Sequence, residues 1–130
     1  MLDMRWHETP EAKLPPPSGV SAFETTALRA DKVLYAPVPP RYHSAYFSHV
    51  FSSGYSAAYY AYLWSEVLAR DTGHWFREHG GLTRANGAVL RERVLSRGRS
   101  AEPAVLFQQF YGRGPEIGPL LEYRGLAAGG

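Results

Sequence analysis

At 130 residues the chain has room for one domain of ordinary size and can bury roughly two-thirds of the surface it exposes when unfolded. Hydrophobic residues make up 45% and charged residues 20%, which excludes a disordered chain, and a net charge of +2 is too small to argue for nucleic acid. The absence of cysteine excludes a disulfide framework, a thiolate zinc site and a cysteine nucleophile.

Residues 1–20 read as the end of an upstream element followed by a proline-rich linker. Pro10 and Pro15-Pro16-Pro17 fix their own φ and lack an amide donor, so the chain there is extended. Residues 21–130 read as a helical domain. Ser21-Ala22-Phe23-Glu24 fits the Ser-x-x-Glu capping box and predicts a helix to about Ala30. Tyr35 to Tyr42 carries Pro37, Pro39 and Pro40 and is irregular. From Ser44 the pattern is helical again, until Ser52-Ser53-Gly54 breaks it. Tyr55 to Arg70 has no Pro or Gly and is rich in helix formers, which predicts one helix, apolar on nearly every side. A separate helix over about Gly73–His79 ends at Gly80-Gly81.

Thr83 to Ser96 places Val89, Leu90, Val94 and Leu95 on one side, with Arg91, Glu92 and Arg93 between them, an amphipathic helix. Ser100 is the predicted cap of a helix over Ala101–Tyr111, with Pro103 in its first turn. The remainder is broken by Gly and Pro around Leu120-Leu121. No segment alternates as a strand would, so the fold class is all-α. Nor does any stretch approach the roughly 18 apolar residues of a membrane span. Asp3, Arg5 and His7 interrupt any apolar run of a secretory signal, and a soluble, cytoplasmic chain with no membrane or nucleic-acid partner is expected.

Five histidines invite a metal reading, which their spacing opposes. His43 and His49 are six apart and His74 and His79 five apart, whereas two ligands on one helix face need i and i+4 or close to it. His7-Glu8 is followed by Pro10 and Glu11 where a helix and a second histidine are required. No Gly-x-Ser-x-Gly elbow is present, and Gly112-x-Gly114 lacks the context of a phosphate loop. The arginines from Arg84 to Arg99 read as a solvated helix face. Tyr55, Tyr59, Tyr62 and Glu66 follow i, i+4, i+7 and i+11, one helix stripe, with Tyr55 and Tyr62 about 10 Å apart along it. By periodicity such a stripe is more often packing than a row of donors.

The segment His49-Val-Phe-Ser-Ser-Gly54-Tyr55-Ser-Ala-Ala-Tyr59-Tyr60-Ala-Tyr62-Leu63-Trp64 resembles the carboxyl-terminal signature of the thimet oligopeptidase-like zinc metallopeptidases. The six-residue step from His49 to Tyr55 is similar to their peptidyl-dipeptidase (dipeptidyl carboxypeptidase) branch. Further colinear matches are Leu2-Asp3-Met4-x-Trp6-His7, Pro39-Pro40-Arg41-Tyr42, Gly80-Gly81-Leu82-Thr83-Arg84-x-Asn86-Gly87, Leu95-Ser96-Arg97-Gly98, Pro119-Leu120-Leu121 and Arg124-Gly125-Leu126.

The resemblance implies a mostly helical peptidase with a deep channel, of which this chain is similar to the last 130 or so residues, one wall of the active site. It implies zinc in the complete enzyme, held upstream by a His-Glu-x-x-His helix and a later Glu, and none on this chain alone. Tyr55 and Tyr62 match catalytic hydroxyl donors; His49, Gly54 and Tyr59 match substrate-binding positions. The family's glycine-rich loop here reads Ser52-Ser53-Gly54, with less backbone freedom at the first two positions. The implied partners are the upstream catalytic portion and short peptides, from which C-terminal dipeptides are released. The competing reading is a non-catalytic remnant or helical interaction module. Either way, the aromatic surface of the 55–70 segment predicts self-association of the isolated chain.

Overall fold

A computed structural model describes residues 1–98 and 100–126, whose regular elements are all helices, with no strand among them. The expected all-α class is what is found. Helices α1 (Leu2–Glu8), α2 (Val20–Ala30) and α3 (Ser48–Phe51) fall in one compact unit, residues 1–61. Helix α4 (Ala61–Glu78) carries all but its first residue in a second unit, with α5 (Arg84–Arg93), α6 (Pro103–Tyr111) and α7 (Gly118–Tyr123).

In the first unit, Leu2 of α1 and Ala27 and Leu28 of α2 form a small core edged by Trp6 and Phe23. The Trp6 and Phe23 rings lie 4.1 Å apart, and the Trp6 indole donates to Ser44 Oγ at 2.6 Å, so its polar edge is satisfied while its face is covered. Leu2–Glu8 is therefore a packed helix. A single leucine buried this way contributes about 1.5–3 kcal/mol.

The capping box is not formed. Three-ten turns at Pro17–Gly19 run straight into α2, so the cap position is Gly19 and Ser21 is already inside the first turn. Glu24 has a different task. Its buried carboxylate accepts the Ser44 amide on one oxygen and faces His43 Nδ1 at 2.8 Å on the other, tying the 43–46 turn to α2. Burial pushes the Glu24 carboxyl up, but the hydrogen bonds from Ser44 and His43 outweigh it and hold it below the usual glutamate range.

The predicted 55–70 helix starts six residues late. Residues 54–60 form successive tight turns, and the helix begins only at Ala61. Ala57 sits at φ +54, a left-handed conformation no regular helix contains. Asp3 supplies the reason. One carboxylate oxygen accepts the Ala57 amide at 2.8 Å and the other the Tyr59 amide at 2.9 Å. A helix begun at Tyr55 would instead direct the Tyr59 amide to the Tyr55 carbonyl.

At its far end α4 continues through Gly73, where a new helix was predicted. A mid-helix glycine costs only about 1 kcal/mol, and the same helix buries Val67, Asp71, Trp75 and Phe76. Trp75 and Phe76 join Phe110 of α6 in the second core, with Val89, Leu90, Val94 and Tyr111 packed around it. Gly80 and Gly81, at φ +85 and +91, end the helix as expected. Asn86 then donates through Nδ2 to the His79 and Gly81 carbonyls, both at 2.8 Å, and Thr83 Oγ1 caps α5 by accepting the Asn86 amide.

Helix α5 stops at Arg93, so Leu95, predicted on its apolar side, is exposed. Arg99, the end of the predicted arginine face, lies outside the described residues. Ser100 is not the cap of α6; that position is Glu102, because Pro103 with its fixed φ takes the first helical place. Asp71 is the fully buried charge of this unit. Arg113 grips it through both guanidinium Nη atoms at 2.8 Å and the Glu116 amide adds a third bond at 2.8 Å. Burial pushes the Asp71 carboxyl up, and those three donors more than reverse it, leaving it below the usual aspartate range.

Candidate functional site

The turn region 52–60 is built on its own backbone. Ser52 Oγ donates to the Ser48 carbonyl at 2.8 Å, Ser53 Oγ to the His49 carbonyl at 2.5 Å and Ser56 Oγ to the Val50 carbonyl at 2.9 Å. Serine hydroxyls bonded back to α3 carbonyls compete with the helical ladder and favour its end here.

On this base the structure brings His49, Tyr55 and Tyr59 together. The His49 ring lies 6.0 Å from the Tyr55 ring and 5.8 Å from the Tyr59 ring, centroid to centroid, with the latter pair edge to face. Phe47, buried, meets Tyr59 edge-on at 4.7 Å and stacks on Tyr42 at 5.3 Å, so the cluster stands on an apolar footing. His49, Tyr55 and Tyr59 are half-buried. Gly54, beside them in sequence, is exposed, and a Cβ there would meet no described atom within 4 Å. Tyr62 belongs to the second unit, exposed on the first turn of α4, where Leu63 and Trp64 are exposed as well. The single helical stripe from Tyr55 through Tyr62 does not exist. Tyr55 and Tyr59 come from turns, and only Tyr62 and Glu66 share a helix.

Sequence reasoning missed Asp3 and Glu24 as organisers of this unit. The signal for Asp3 was the Leu2-Asp3-Met4-x-Trp6-His7 match, whose carboxylate reaches 54 and 56 residues along the chain to Ala57 and Tyr59.

A resident zinc does not fit the residues present. Among the described residues no group of three or more His, Asp or Glu side chains converges as a metal site. His7 lies against Asp3, His43 against Glu24 and His74 against Glu78, one histidine and one carboxylate in each place. A cleft of about 220 Å³ in the second unit is lined by Ala69, Arg70, Gly73, Arg77 and Tyr123 among others, and holds none of the candidate residues. Its arginines are engaged: Arg70 lies over the Tyr123 ring at 3.3 Å and Arg77 pairs with Glu122 at 3.6 Å.

The sequence profile of peptidase family M3 matches residues 1–126. The chain belongs to peptidase family M3. Within the family it is 49% identical over 128 residues to the dipeptidyl carboxypeptidase of Escherichia coli strain K12, and 48% identical over 126 residues to that of Salmonella typhimurium. Each alignment takes in 97% of this chain and 18% of the relative. Oligopeptidase A of Escherichia coli is more distant, 40% identical over 128 residues with the same coverage. The chain thus spans under a fifth of the length of these family M3 relatives. Among the described residues, no helix is long and apolar enough to cross a membrane.

Proposed function

We propose that this chain forms one wall of the active site of a family M3 zinc peptidase that releases C-terminal dipeptides from short peptides. The observation that carries the reading is the gathering of His49, Tyr55 and Tyr59 on one braced turn region. Identity of 48–49% to two dipeptidyl carboxypeptidases favours dipeptide release over other peptide cleavages. The zinc and its ligands belong to another portion of the enzyme.

Hydrolysis of a peptide bond passes through a tetrahedral intermediate whose former carbonyl oxygen carries negative charge. A phenol ionises near pH 10 in water, so a tyrosine hydroxyl is a donor at neutral pH. Tyr55 and Tyr62 are the proposed hydroxyl donors to the reacting carbonyl, a type of hydrogen bond that strengthens as charge develops. His49 and Tyr59 bind the substrate backbone, and Gly54 leaves room for it to approach. The exposed Tyr62, Leu63 and Trp64 of α4 meet the rest of the enzyme and the substrate.

The test adds residues 1–130 to a polypeptide carrying the His-Glu-x-x-His portion, with zinc, and offers an N-blocked tetrapeptide. Dipeptide release requiring both polypeptides is expected. Equal hydrolysis by the zinc-binding polypeptide alone, or none by a folded complex, refutes the reading. A helical interaction module is the second reading, favoured by the 53% and 58% exposure of Leu63 and Trp64. It predicts peptide or protein binding without turnover, and self-association through the same face.

A further inference from the structure

We infer that Asp3 is a positioning residue: it holds the turns that present Tyr55 and Tyr59, so its loss impairs the reaction without removing any group that touches substrate. The inference rests on the proposed role of those tyrosines.

Asp3 is 4% exposed and its carboxylate is fully committed. One oxygen accepts the Ala57 amide, the other the Tyr59 amide, and His7 Nδ1 lies 3.0 Å from the first. The two bonds fix the backbone at Ala57, two residues after Tyr55, and at Tyr59 itself. They also offset the cost of Ala57 at φ +54, a conformation disfavoured for a residue with a Cβ. The same helix braces the other end of the segment. Trp6 meets the Phe51 ring edge-on at 5.9 Å and His7 lies 6.0 Å from it, just before the Ser52-Ser53-Gly54 loop. Helix α1 is itself anchored by Leu2 in the core and by Arg5, which pairs with Asp31 at the end of α2. A rigid helix thus reaches both ends of the segment that carries the candidate donors. The core needs Leu2 and Trp6 for packing, but nothing in that packing requires a carboxylate at position 3. Its two amide partners are what account for it.

The test compares Asp3→Asn and Asp3→Glu with Tyr55→Phe in the assembled peptidase. Amide hydrogen exchange is followed on the 130-residue chain. Asp3→Asn keeps the shape but turns one acceptor into a donor facing an amide. Faster exchange is expected at Ala57 and Tyr59, with α2 amides protected as in the parent. Misplacing reacting groups by about 1 Å can lower turnover around 100-fold, so kcat should fall on the order of 10–100-fold with KM changed less than threefold, and Asp3→Glu should restore part of it. Loss of protection throughout α2 as well would make Asp3 a general fold residue and overturn the inference. So would parent-like kcat in Asp3→Asn beside a strong loss in Tyr55→Phe. Parent-like kcat in both variants would instead overturn the tyrosine reading, and this inference with it.

Discussion

Removing the Asp71 carboxylate tests the second unit at its most demanding point. The side chain is 0% exposed and is held by two Arg113 donors and the Glu116 amide, all at 2.8 Å. In Asp71→Ala the guanidinium and the amide lose their acceptor together. Breaking a buried ion pair on one side costs about 3–5 kcal/mol. Arg113 retains 29% side-chain exposure and can turn partly to water, which places the loss at the lower end, about 3 kcal/mol. Arg113 also lies over the Tyr111 ring at 3.6 Å, and Tyr111 donates to Glu78 at 2.9 Å, so the damage spreads toward the end of α4. For a two-state domain of this size, about 3 kcal/mol lowers the melting temperature by roughly 10–15 °C. Far-UV circular dichroism on heating reads it directly. Replacing both partners, Asp71→Leu with Arg113→Met, removes the orphaned charge and should recover most of the loss. A shift below about 3 °C in Asp71→Ala, or a double variant no better than the single, would refute the view that this pair is a paired charge whose orphaning costs stability.

Acid should destabilise the chain through Glu24 and Asp71. Both carboxyls lie below their usual ranges, so the unfolded chain binds protons more readily; their contribution is complete above about pH 5 and fades as pH falls toward the lowered folded values. Glu24→Gln should flatten the pH dependence of the urea midpoint between about pH 5 and 3, and an unchanged slope would exclude Glu24 as a source. Gly81→Ala forces a Cβ onto φ +91 at the end of α4 and should lower stability by about 1–2 kcal/mol in urea unfolding; no change would mean the turn can rearrange. In the assembled peptidase, Tyr55→Phe and Tyr62→Phe should each lower kcat about 10²–10³-fold, roughly 2.7–4 kcal/mol, with smaller changes in KM. Phenylalanine variants that keep kcat while losing thermal stability would make these tyrosines packing residues.

What could be read from sequence was whatever local chemistry decides. The Gly80-Gly81 stop and the first-turn place of Pro103 each follow from φ restrictions of those residues themselves. What could not be read is decided by carboxylates acting over long separations. Ser21 and Glu24 have capping-box spacing, yet Glu24 turns inward because His43 and Ser44 meet it from 19 and 20 residues away. Tyr55 to Ala61 has the composition of a helix, yet Asp3 takes its amides from 54 and 56 residues away. The second case changes the reading of the site. Periodicity placed Tyr55, Tyr59 and Tyr62 on one helical stripe and thereby favoured packing as their role. With the stripe broken, that argument no longer applies to Tyr55 and Tyr59. They are instead set on turns, half-buried around His49, with Tyr59 against the buried Phe47 and its amide held by Asp3. Core tyrosines need no such device, since a helix supplies its own hydrogen bonds and burial does the rest. Under the proposed function the hydroxyls must be presented at fixed points, and a brace on the backbone serves that need where burial alone does not.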